Sequence, residues 1–157
     1  YKCTTEALQK KINIFLGGND MQKEIAYNES NYEAESFELI LGYTPGYNNE
    51  ELEKENEFDS IESFNALYYK IAQEIYDKSG VFVTALTFKS RVVYPGSPRG
   101  GEKVYFIKGT RNPEFTSDKE KYRKAVNEVA RILADILQQT TYSIAWTNCN
   151  YNYFKKQ

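Results

Sequence analysis

The sequence predicts an α+β domain, and three observations carry that expectation. From Phe37 onward the hydrophobic period alternates between two and 3.6, in the order strand, helix, strand, strand, helix, strand. Both helical stretches open on a capping signature and carry one apolar stripe. The strand-like stretches are rich in β-branched and aromatic residues and stop at Gly/Pro turn signals. This order is the split βαβ layout of ferredoxin-like folds, βαββαβ, with both helices on one face of an antiparallel sheet. The other face then has no helix to cover it.

Thr4-Thr5-Glu6 before Ala7 and Leu8 reads as a short helix start. Ile12–Leu16 has a strand period, broken by Gly17-Gly18-Asn19-Asp20. The stretch to Ser36 is polar, with Tyr27 and Tyr32, and reads as loop with some irregular strand. Residues 1–36 are therefore expected as an extension packed on a ferredoxin-like domain of residues 37–157, with Ile12–Leu16 as an added edge strand. Phe37–Tyr43 alternates, placing Phe37, Leu39, Leu41 and Tyr43 on one face, and Thr44-Pro45-Gly46 ends it. An acidic run from Glu50 to Asp59 follows.

Asp59 or Ser60, with Glu62, caps the first helix; Ile61, Phe64, Ile71 and Ile75 form its stripe, and Ser79-Gly80 ends it. Val81–Tyr94 reads as one long strand, Pro95–Gly101 as a turn, and Lys103–Gly109 as the hairpin partner. Ser117 with Glu120 caps the second helix, which runs to about Gln139 on a stripe of Tyr122, Val126, Val129, Leu133, Ile136 and Leu137. Thr141–Phe154 is the last strand, with Tyr142, Ile144 and Trp146 on one face and Cys149 on the other.

Composition mostly excludes. The 157 residues contain no histidine, which removes Ser-His-Asp and Cys-His catalysis. Two cysteines cannot complete a zinc tetrahedron without histidine, and no metal or cofactor is expected. No apolar run is long enough to span a membrane. The net charge of −2 conceals a balance of −9 over residues 1–80 and +7 over residues 81–157. The chain starts at Tyr1 rather than Met, and Cys3 and Cys149 lie near opposite ends. A Cys3–Cys149 disulfide would imply an oxidising compartment; two free thiols would not. A cytoplasmic and a secreted or envelope location both stay open.

The charge layout singles out one hairpin. Lys89, Arg91, Arg99, Lys103, Lys108 and Arg111 all fall on it, with Glu102 opposing them. The segment Pro95–Lys103 is glycine-rich, but a phosphate-binding P-loop needs a helix after it, and here a strand follows. The acidic run lacks the calcium-loop order of ligands. Lys103-Val-Tyr-Phe-Ile-Lys lacks the glycines of an RNA-recognition strand, so nucleic acid is not expected. The strand–helix order over most of residues 37–154 resembles the tautomerase superfamily in topology. That family's N-terminal proline base has no counterpart, because Ser36 stands at the start of the strand with a long segment before it. The resemblance implies a fold and no activity.

The expected function is a non-catalytic binding or assembly module. Its basic hairpin would meet an acidic protein or a phosphate-bearing ligand, and its open sheet face a second copy. One alternative is a small enzyme using a carboxylate or tyrosine as acid or base in a cleft beside the acidic loop. Another is a secreted or envelope structural domain held by the Cys3–Cys149 disulfide.

Overall fold

The computed structural model describes residues 26–44 and 57–157. The predicted Ile12–Leu16 strand, Cys3 and most of the acidic run lie outside the described residues. The elements are β1 (Tyr27–Gly42), α1 (Ile61–Ser79), β2 (Leu86–Val92), β3 (Glu102–Thr110), α2 (Lys119–Ile136) and β4 (Ser143–Lys156). The strands form one sheet in the order β2-β3-β1-β4, an α+β architecture compatible with the split βαβ layout. The compact unit 31–153 holds the core. Outside it, Gln157 N donates to Ala26 O at 3.2 Å and Gln157 Nε2 to Asn28 Oδ1 at 2.7 Å. Among the described residues no helix is long and apolar enough to cross a membrane.

The central pair is antiparallel, from Ser36 opposite Thr110 to Gly42 opposite Val104. This register gives the sheet two different faces. Phe37, Leu39, Leu41, Tyr105 and Ile107 point to the helix side and are buried. Ile40, Val104, Phe106 and Lys108 point to the open side. On the helix side Phe64 stacks on Tyr105 with ring centroids 3.7 Å apart, and Tyr43 lies 4.7 Å from Tyr105. The Tyr105 hydroxyl donates to the carbonyls of Phe58 and Ser60, tying β3 to the start of α1. Tyr68 from α1 donates to Val83 O at 2.9 Å.

Several boundaries differ from expectation, each for a local reason. β1 begins at Tyr27, not Phe37, because its first half is held by backbone pairing rather than burial and shows little apolar alternation. β2 spans only Leu86–Val92. Val81 and Val83 are core residues on a segment outside the sheet, so their apolar character reflects burial and not strand pairing. Ser60 caps α1 by accepting from Ser63 N at 3.0 Å, and Asp118 caps α2 by accepting from Lys121 N at 2.9 Å. The two caps therefore sit at Ser60 and Asp118, and neither uses the Glu62 or Glu120 pairing expected of a capping box.

Gly109 sits opposite Phe37 in the central register. A Cβ there would stand 2.4 Å from Thr84 O and 2.5 Å from Phe37 Cε1. The ring of Phe37 occupies the space that a side chain would take. Gly109→Ala is therefore expected to lower stability by about 1–3 kcal/mol through overpacking, read from the urea midpoint at unchanged m-value.

Candidate functional site

The six hairpin cations do not form one patch. Lys89, Arg91 and Lys103 point toward the helix side, and Lys108 toward the open side. Lys89 and Lys103 converge on Asp59, at 2.9 and 3.8 Å. Arg91 donates to Gly101 O at 3.1 Å, which steadies the hairpin turn. Lys108 pairs with Glu38 at 2.9 Å. Arg99, at the turn, is the one cation of the six with no polar partner among the described residues.

Arg111 is 6% exposed and has a structural task. Its Nε donates to Glu35 Oε2 at 2.6 Å, its Nη1 to Thr116 O and Ser117 O, and its Nη2 to Glu33 O. It thereby joins β1, the end of β3 and the start of α2. Lys119 reaches Glu35 Oε1 at 3.2 Å. Burial pushes the Glu35 carboxyl up, but the hydrogen bonds and charges of Arg111 and Lys119 outweigh it and hold the group below the usual carboxylate range. A cleft of about 440 Å³ opens beside this cluster, lined also by Asn148, Cys149 and Asn150. Cys149 Sγ lies 3.6 Å from Ser36 Oγ; Cys3, its partner in the alternative disulfide reading, lies outside the described residues. The charged groups of this cleft already neutralise one another.

A second cleft, of about 260 Å³, lies on the open face at the other end of β1. Ile40, Val92 and Val104 give it an apolar floor, and Gln138 to Ser143 form its wall. Gly42 makes the geometry possible. A Cβ there would stand 2.4 Å from Gln139 Oε1 and 3.2 Å from Glu102 Oε1, so a side chain at this position would push the amide away from the strand. Gln139 Nε2 donates to Thr44 O at 3.1 Å and Leu137 O at 2.9 Å, which pins the loop after α2 to the end of β1. Glu102 accepts from the Tyr94 hydroxyl at 3.0 Å and has no cationic partner among the described residues. Here a carboxylate, the Gln138 amide and an apolar floor meet, with the carboxylate's charge unspent.

The alternative expectation allowed a tyrosine as acid or base, and Tyr43 and Tyr105 are poor bases. Burial, then the hydrogen bond to Asp59, raises the Tyr43 hydroxyl far above its ordinary value; burial and the charges of Asp59 and Glu62 push Tyr105 up to about 12. Both stay protonated donors at neutral pH. Among the described residues no cluster of acids and cysteines is arranged to hold a metal. Glu102 was legible in the sequence only as the acid opposing six cations. Its role beside Gly42 and Gln139 depends on residues 60 and 37 positions away in sequence, and no local spacing marks them.

A family model for SAM lyase matches residues 32–155. No curated protein matches the sequence. Two solved structures are similar. A phage SAM lyase in complex with S-methyl-5'-thioadenosine aligns at TM-score 0.50 and 16% identity, over 78% of this chain and 90% of that one. A phage SAM lyase in its apo state aligns at TM-score 0.48 and 15% identity, with the same coverage. The family match overturns the expectation of a non-catalytic binding module. A basic hairpin is not evidence against an enzyme when five of its six cations are occupied within the fold.

The buried pair carries a stability prediction. Arg111→Ala leaves Glu35 with Lys119 as its one cation and the carbonyls of Glu33, Thr116 and Ser117 without their donor, and is expected to cost about 1–3 kcal/mol, read by urea denaturation. Because the folded Glu35 pKa is depressed, its contribution is present above the unfolded value near ~4.3 and is lost as pH falls through the folded one. Glu35→Gln should therefore flatten the acid limb of the stability–pH curve.

Proposed function

The chain belongs to the SAM lyase family, and we propose that it cleaves S-adenosylmethionine between sulfur and the γ-carbon of the methionyl chain. The observation that carries this reading is the family match over residues 32–155, which takes in both helices and the β2–β3 hairpin entirely. The ligand held by the phage lyase, S-methyl-5'-thioadenosine, is what remains of S-adenosylmethionine when that bond breaks.

The chemistry suits a chain without histidine. The sulfonium is a leaving group needing no protonation, and the substrate's own α-carboxylate reaches the γ-carbon by closing a five-membered ring. A carboxylate oxygen forms the new C–O bond while the S–C electron pair goes to sulfur. The products are the neutral thioether and the lactone of α-amino-γ-hydroxybutyrate. No proton is transferred and no water is consumed. Positive and negative charge vanish together, so the step is favoured by a site that removes both from water. The protein's task is to fold the substrate into the reactive geometry.

The open-face cleft offers the parts for that task. Ile40, Val92 and Val104 provide an apolar bed for the adenosine. Glu102 takes the α-ammonium, leaving the α-carboxylate turned toward the γ-carbon, and the Tyr94 hydroxyl orients Glu102. The carboxylate of the alternative expectation is retained in this reading, as a positioner rather than an acid or base.

We also propose that a second copy covers the open face. Leu86 is 63% and Phe88 48% exposed, and Phe88 packs on Phe106 at 6.1 Å, giving an apolar surface without a helix over it. Ile40 and Val104 belong to both this face and the cleft, so a covering subunit would also exclude water from the substrate.

Wild-type protein is expected to convert S-adenosylmethionine to S-methyl-5'-thioadenosine and the lactone in equal amounts, followed by mass spectrometry. Glu102→Gln should lower kcat/KM by about ten- to hundredfold, as loss of a hydrogen bond to a charged group does, with an unchanged thermal midpoint. Absence of the thioether from the wild-type reaction overturns the activity; an unchanged kcat/KM in the variant overturns the cleft. For the open face, the solution mass should exceed that of one chain, and Phe88→Glu should reduce it to one. A wild-type monomer at working concentration rejects the second copy.

A further inference from the structure

Gln138 holds a backbone conformation that its own residue type disfavours. Its φ is +54°, and among the described residues it is the only non-glycine residue with positive φ. It directly follows α2 in a helix-ending turn: Gln138 N donates to Asp135 O at 3.2 Å and Gln139 N to Ala134 O at 2.9 Å. That pattern puts a left-handed residue just past the helix end, where glycine is favoured. The same chain uses glycine for this purpose at the end of α1, where Gly80 has φ +69°. Nothing in the backbone of α2 asks for a glutamine instead.

The side chain supplies the reason. Gln138 lines the 260 Å³ cleft and is exposed there. Its amide has no hydrogen-bond partner among the described residues, whereas the neighbouring Gln139 spends its amide N–H groups on Thr44 and Leu137. The cleft therefore contains one primary amide with its donor and its acceptor both uncommitted. An amide of this kind matches the N6/N7 edge of adenine, donating to N7 and accepting from the N6 amino group. The apolar bed of Ile40, Val92 and Val104 is suited to the flat purine beside it.

We propose that Gln138 is the adenine-reading residue of the cleft, and that the strain at φ +54° persists because the left-handed conformation aims this amide at the base. The inference rests on the cleft being the substrate site. It adds that selectivity for an adenosyl over an inosyl substrate is set here, since exchanging the N6 amino group for an oxygen removes the donor that the amide oxygen accepts.

The test uses the full chain, the product S-methyl-5'-thioadenosine as probe, its inosine counterpart, and the variants Gln138→Gly and Gln138→Ala, by titration calorimetry and thermal melting. Both variants should bind the adenosine probe about ten- to hundredfold more weakly and lose preference over the inosine probe. Gln138→Gly alone should melt higher than wild type, by roughly 2–4 °C, because relief of the left-handed strain is a backbone effect. Wild-type affinity and preference in either variant overturn this inference while leaving the cleft intact. Failure of the wild type to bind the adenosine probe overturns the cleft reading and this inference together.

Discussion

Seven residue pairs join the two central strands, from Ser36 opposite Thr110 to Gly42 opposite Val104. Because side chains alternate, this one register assigns Phe37, Leu39, Leu41, Tyr105 and Ile107 to the helices and Ile40, Gly42, Glu102 and Val104 to the open face. A slip by one residue would exchange the two sets. The helices would then meet Glu38 and Lys108, and the candidate catalytic cleft would lose its floor. Gly109 under Phe37 and Gly42 under Gln139 are the two positions where the register also demands the absence of a side chain.

Two clusters of charge hold this arrangement. Asp59 collects Lys89 and Lys103 at the start of α1, and Glu35 collects Arg111 and Lys119 at the start of α2. Each carboxylate thus joins a helix start to the sheet. Glu102 differs in that it is oriented by a neutral hydroxyl and its charge is not cancelled. In the proposed reaction, where the substrate's own carboxylate displaces the sulfonium, one such anion for positioning suffices, which suits a chain lacking histidine.

The helices were legible because their stripes repeat at 3.6 and their ends carry caps within three residues of the start. The first cap is Ser60, one of the two residues expected, and the second lies at Asp118, one residue after the expected Ser117. The first half of β1 was not legible, because a strand held by its neighbours' backbone needs no apolar period. Val81 and Val83 were misassigned for the opposite reason: burial alone imitates a strand. The hairpin cations cluster in sequence but form no single patch, because Lys89, Arg91 and Lys103 share the helix side while Lys108 faces the open side and Arg111 is buried past the strand end.

The sequence by itself determined the α+β order, the buried aromatic faces, the uncovered side of the sheet and the exclusion of histidine-based catalysis. These follow from local period and composition, which act over one or two turns of chain. Only the tertiary structure decided which carboxylate stays unpaired and which amide stays free. Glu102, Gly42 and Gln138 are brought together by strand pairing and by the turn after α2, and whether a polar group is spent or available depends on partners that lie far away along the chain.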